Sequence, residues 1–134
     1  MRELQTNPIT VRASAALTAS YVGTVVPIGS ENQLTLLVAY TMGATESSNS
    51  VEIKLEFSDD NSTWYQETQS SLSGGTDTLV LLEHSFAATQ SAGTYDYFHF
   101  TTPINAKYVK VSVKETGKAS NFGTCAIKGI LSYV

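Results

Sequence analysis

The chain has 134 residues, a net charge of −4 and a sequence pI of about 5.0. That length supports one domain with a real core. Charged residues make up 15%, against roughly 25% in an average soluble domain, and no basic patch stands out beyond a loose group at Lys107, Lys110, Lys114 and Lys118, which argues against nucleic acid as a partner. The single cysteine, Cys125, excludes an intrachain disulfide and reads as a small buried hydrophobe. No apolar h-region follows Arg2, and no apolar run is long enough to span a bilayer. The expectation is synthesis and retention in a cytosol without a membrane anchor.

Residues 1–30 are the least regular part and read as an N-terminal arm with edge strands, ahead of a β-sandwich over 31–134, in a single domain overall. Residues 9–11 suggest a short strand. The run ASAALTASY (13–21) reads as extended, because Ser, Thr and flanking β-branched residues outweigh its alanines. Pro27 marks a strand edge or end. Ile9 and Val11 are candidate contacts between this arm and a partner chain. Deleting residues 1 to about 12 is therefore expected to weaken attachment and leave the sandwich folded.

From residue 33 the pattern sharpens. Residues 33–41 form a strand and 43–50 a polar loop. In residues 51–58, Val51, Ile53, Leu55 and Phe57 alternate with Glu52, Lys54, Glu56 and Ser58, the period of a half-buried strand. Ser58-Asp59-Asp60-Asn61-Ser62 supplies turn chemistry, and Trp64 follows on a return strand at 63–68. Residues 69–76 (QSSLSGGT) read as a flexible loop, 78–86 as a strand and 87–94 as a loop. A strand at 95–101 ends at Pro103. Residues 106–115 carry Val109, Val111 and Val113 on one face. After a turn region at 117–123, residues 124–133 form the last strand. The count is seven to nine strands with turn signals between them and no sustained helical period: an all-β, antiparallel sandwich or jelly roll. Ile53, Leu55, Phe57, Trp64, Val109 and Val111 are the expected core anchors.

Three strands are apolar on both faces. Leu34, Leu36, Val38 and Tyr40 oppose Leu37 and Ala39; Val80, Leu82 and Phe86 oppose Leu79 and Leu81; Tyr95, Tyr97 and His99 oppose Phe98 and Phe100. A two-layer sheet commonly buries one face, so the second is covered either by loops or by a partner subunit. Tyr95, Tyr97 and His99 are the candidate interface set, since tyrosine joins a large buried area to a polar tip.

No catalytic or metal constellation emerges. His84 and His99 have no neighbouring ligands at metal spacing. Asp59, Asp60 and Asn61 lack the further ligands of a calcium loop. There is no Gly-x-Ser-x-Gly elbow, Gly74-Gly75 is followed by no phosphate-binding Lys, and most of the acidic residues sit at turns or outward strand positions. Asn61-Ser62-Thr63 fits a glycosylation sequon and reads here as turn. The expectation is a non-enzyme without cofactor or metal.

VEIKLEFSDDNSTWY followed by PINAKYVKVSVK resembles the discoidin-type jelly rolls, with residues 106–111 in place of their characteristic strand. The resemblance covers about half the chain and concerns architecture. The family's flanking cysteines are absent and its ligand loops do not map, so sugar or lipid binding does not carry over. A second resemblance spans most of the chain. The ASAALTASYVGTVV stretch, the S-D-D-x-x-x-W-Y hairpin, KYVKVSVKETG and the final IKGILSYV are similar to small β-sandwich structural proteins of tailed bacteriophages, including capsid decoration (cement) proteins. It implies a virion protein on the outer capsid surface. The implied partners are the major capsid protein or other virion proteins, and the implied form a homo-oligomer such as a trimer, or lattice-bound copies. A tail, baseplate or fibre component and a carbohydrate-binding module, with Trp64, Tyr65 and Tyr95 as its aromatic platform, are the alternatives.

Overall fold

The computed structural model describes residues 4–5, 8–43, 49–87, 94–101, 104–117 and 121–133. Most of the first seven residues, most of the loops expected at 43–50 and 87–94, Pro103 and Lys118 lie outside them. Among the described residues there are twelve β-segments and no helix: β1 (Leu4–Gln5), β2 (Ile9–Ala16), β3 (Val22–Pro27), β4 (Gln33–Thr41), β5 (Ser50–Ser58), β6 (Tyr65–Gln66), β7 (Thr68–Ser73), β8 (Thr76–Leu81), β9 (His84–Ala87), β10 (Thr94–Thr101), β11 (Tyr108–Thr116) and β12 (Thr124–Tyr133).

All pairings are antiparallel. The first sheet runs β2-β12-β4-β10, with β1 also on β12; the second runs β3-β11-β5-β9, with β6 also on β5. Numbering the eight members of these two rows from one to eight in chain order, the sheets read 1-8-3-6 and 2-7-4-5. Except where β5 is followed by β9, the chain changes sheets at every step. This is the connectivity of a jelly roll, two Greek keys folded face to face. The hairpin β7–β8 belongs to neither sheet and is inserted between β5 and β9.

The core lies between the sheets. One contributes Val11, Leu34, Leu36, Val38, Tyr40, Cys125, Ile127 and Leu131, the other Val26, Val51, Ile53, Leu55, Val109, Val111 and Val113; Leu17, Met42 and Ile104 close the ends. Strand periodicity explains the selection, because alternate residues along each strand face inward. Gly129 takes an inward place on β12 without a side chain. A Cβ there would meet Val11 and Leu34 at 3.0 and 3.3 Å, so their side chains fill the space.

From Ile9 onward the amino-terminal stretch is strand: β2 is an edge strand paired with β12, and Val11 is 3% exposed within the core. Arg12 donates to the Cys125 carbonyl at 3.2 Å across the irregular register and to the Ala16 carbonyl of its own strand at 2.9 Å. A truncation through residue 12 would therefore remove half of β2 together with the core residue Val11, and loss of particle binding by that variant would not isolate an arm. Residues 69–76 differ from the expectation, forming most of the hairpin β7–β8 in place of a loop. Gly74 and Gly75 both have positive φ, 57° and 81°, as a tight two-residue hairpin turn requires. The strand expected at 78–86 is two strands, broken at Leu82 and Glu83.

Candidate interaction surfaces

The edge of the sandwich between β9 and β10 is closed by rings. Phe86 stacks on Tyr97 with centroids 3.7 Å apart, His84 lies 3.8 Å from His99, and Tyr40 meets Phe86 and Tyr95 at 6.2 and 6.3 Å. Each close pair takes one residue from each sheet, so the rings clasp the two layers. Glu67 stands behind His84, with Oε1 2.7 Å from Nε2. Tyr95, Tyr97 and His99 thus lie on the inward, half-buried face of β10, and Tyr95 and Tyr97 pack against the core. The outward face of the same strand carries Phe98, 68% exposed. The surface-facing apolar residue is the neighbour of the set chosen from sequence, because Tyr40 and Phe86 draw the tyrosines inward.

Burial, followed by the adjacent His84, holds the His99 imidazole below its ordinary value of 6.5, with Glu67 pulling the other way. The unfolded chain takes up this proton at the ordinary value while the fold resists it. Stability therefore falls as the pH drops below 6.5, and levels off once His99 is protonated in the folded state as well. We expect the urea midpoint to decrease on acidification through this window, and the decrease to be smaller in His99→Phe. Equal slopes would show that His99 is not the group responsible.

The outer faces of the two sheets differ in chemistry. That of the second sheet is a polar lattice. Lys54 and Lys114 stand 4.7 and 4.5 Å from the Tyr21 ring centre, Lys114 pairs with Glu52 at 3.3 Å, and Lys54 with Glu56 at 3.6 Å. Burial, then Glu83 and Glu52, push the Tyr21 phenol up to about 12. Trp64 belongs to this face: it is half-buried outside the core, with the Lys110 ammonium 4.4 Å from its ring centre. Its expected place as a core anchor is taken by smaller residues; Ile53, Leu55, Val109 and Val111 are all buried, and Phe57 is partly buried against them. Gly23 makes room on this face, since a Cβ there would meet Ser112 Oγ at 2.6 Å and Lys110 Cδ at 2.8 Å.

The outer face of the first sheet carries an apolar patch. Leu37, Ala39, Phe98 and Ala126 line a cleft of about 390 Å³ together with Asp96 and Lys128. A third surface is the hairpin β7–β8, on which Leu72 and Leu79 are each 74% exposed and Leu81 64%. Ile9, at 36% exposure, is the other arm residue named from sequence; Val11 is inside.

The Ser58–Thr63 turn is self-contained. The Asp60 carboxylate accepts from the Ser62 and Thr63 amides, both at 2.8 Å, and from the Ser58 hydroxyl at 2.9 Å. The Thr63 and Ser62 amides hold its carboxyl below the usual carboxylate range. Asn61 adopts a φ of 59°. These bonds engage the acid that a cation would need. Among the described residues no three His, Cys, Asp or Glu side chains form a group suited to a metal, and no helix is long and apolar enough to cross a membrane. Burial pushes the Cys125 thiol up to about 11, the state of an unreactive interior sulfur.

Sequence reasoning gave no role to Glu115. It is fully buried on the inward side of β11. It accepts from the Tyr40 hydroxyl, from Asn49 Nδ2 at 3.2 Å and from the Gly123 amide at 2.9 Å. Burial, then this bond, push the Tyr40 phenol well up.

No family model matches the chain, and no curated protein matches it. Among solved structures, a chain from the structure of infectious bursal disease virus, Gx strain, aligns with 98% of this chain at 11% identity and a TM-score of 0.29. This chain covers 42% of that one. So loose a superposition carries no argument about role.

Proposed function

We propose that this chain is a virion structural protein, a decoration (cement) protein seated on the outer surface of a bacteriophage capsid and bound to the major capsid protein. The role is non-catalytic. The observation that carries it is the apolar surface left outside a completed core: Phe98 over its cleft, and three leucines on a projecting hairpin. Lone soluble domains rarely leave contiguous apolar patches of this kind open, and such patches mark contact sites. Jelly rolls serve in viral capsids and in lectins, an analogy of fold that agrees with this reading without deciding it. Repeated over a lattice, each small apolar contact adds to the others through multivalency.

The test is the copy number of the chain in purified particles, by quantitative mass spectrometry against the most abundant shell protein. A ratio near one to one, or a simple fraction of it, is expected. A handful of copies would move the protein to the tail, baseplate or fibre. Absence from particles would end the virion reading and leave carbohydrate binding, for which Tyr65 is 66% exposed; Trp64 has its ring engaged by Lys110.

A further inference from the structure

The hairpin β7–β8 is anchored at its root. The Glu67 amide donates to the Leu55 carbonyl, and the Leu82 amide to the Glu67 carbonyl, both at 2.8 Å; Gln66 Nε2 reaches the Leu82 carbonyl at 3.3 Å. Its register sorts the side chains cleanly. Leu81 lies opposite Thr68, Leu79 opposite Ser70 and Leu72 opposite Asp77, all on one face; Gln69, Ser71, Ser73, Thr76, Thr78 and Val80 occupy the other. One face of the ribbon is therefore a leucine stripe ending in a carboxylate, and all three leucines are exposed. A lone two-stranded ribbon is marginal in water, and this one gains most by covering that stripe.

The same chain carries a surface of matching chemistry. The cleft on the outer face of the first sheet sets Phe98 and Leu37 in one row with Lys128, and Ala39 and Ala126 in the next row with Asp96. The opposite sheet's outer face, with its charged lattice, offers no such place. Charge gives the match a direction. Between Lys54 and Lys107 the sequence holds seven acids (Glu56, Asp59, Asp60, Glu67, Asp77, Glu83 and Asp96) and no Lys or Arg, so the hairpin and its root are acidic. Lys128 is exposed and lines the cleft. Seating the leucines along the Phe98–Leu37 row brings Asp77 toward Lys128 and leaves Asp96 a row away.

We infer that the leucine face of β7–β8 docks into the outer cleft of the first sheet of a second copy of this chain. Hairpin and cleft are different patches, so the contact is head-to-tail and propagates into a ring or a row. The inference uses the same two surfaces as the virion reading but not the reading itself: where it holds, contacts between copies cover them, and its failure leaves the copy-number experiment untouched.

The experiment is sedimentation velocity of the full chain over a range of concentrations. Leu79→Ser with Leu81→Ser disables the hairpin, and Ala39→Glu with Phe98→Ser disables the cleft. These positions lie outside the core, and unchanged melting curves confirm folding. The wild type is expected to gain mass with concentration and each double variant to stay monomeric. A one-to-one mixture of the two variants should form a dimer and nothing larger, because each supplies the half the other lacks. If either variant fails to fold, the charge pair serves instead: Asp77→Lys or Lys128→Asp alone weakens association about tenfold, and the two together restore it. A wild type that stays monomeric, a mixture that stays monomeric, or a single-surface variant that assembles like the wild type overturns the inference. The first of these with particle binding retained would assign the hairpin to a different protein.

Discussion

Replacing Glu115 by Ala is expected to lower stability by about 4 kcal/mol, because three donors lose their acceptor inside the fold. The carboxylate joins parts of the chain that are far apart in sequence: Tyr40 on β4, Asn49 before β5, and Gly123 before β12. Removing it leaves the Tyr40 hydroxyl and the Gly123 amide buried without their acceptor. For a domain of this size the melting temperature should fall by about 15 °C. Glu115→Gln keeps the shape and one acceptor oxygen, and should lie between the wild type and Glu115→Ala. A drop of about 1 kcal/mol or less for Glu115→Ala would mean that the neighbours re-pair after relaxation.

Gly123→Ala should destabilise by about 3 kcal/mol, for reasons of space. A Cβ at this position would sit 2.4 Å from Cε1 of Tyr40, 2.6 Å from Cζ of the same ring and 2.5 Å from the Thr41 carbonyl oxygen. The carbonyl belongs to the β4 backbone, which pairs with β12 at Thr41 and Thr124, so it cannot swing aside. The ring can yield only by drawing its hydroxyl away from Glu115. The two substitutions therefore damage one site, and the double variant should lose clearly less than the sum of the singles. Chemical denaturation of the four chains measures this; strict additivity would refute the shared mechanism.

The parts of this structure that were legible in the sequence share one property: they follow from local periodicity. Alternation placed Ile53, Leu55, Val109 and Val111 inside, and short polar residues marked the Ser58–Thr63 turn. The same alternation, carried two residues past Val113, points Glu115 inward, but a charge on a strand reads by default as solvated. Its partners come from three separate segments, so only the tertiary arrangement reveals them. Trp64 reads as core by size; its actual place depends on strand pairing that sets Lys110 opposite Glu56, on the outer face. The ribbon at 68–81 was hidden because β7 carries one leucine among hydroxyl and amide side chains, although Gly74-Gly75 was the signal for its turn. The two-sided strands did announce outward apolar surface; which side faced outward was decided by ring contacts with Tyr40 on β4 and Phe86 on the preceding strand, which periodicity within β10 does not show.

The placement of β12 between β2 and β4 has a kinetic consequence. The central strand of the first sheet is the last one described in chain order, so β2 and β4 have no common neighbour until it arrives. Closing that long separation is entropically slow. Until it closes, both strands present open backbone edges, one of them on a strand bearing Leu34, Leu36 and Val38. A concentrated refolding solution would meet these edges before β12 does, and the balance between native chains and aggregate is then set by how quickly that one strand inserts.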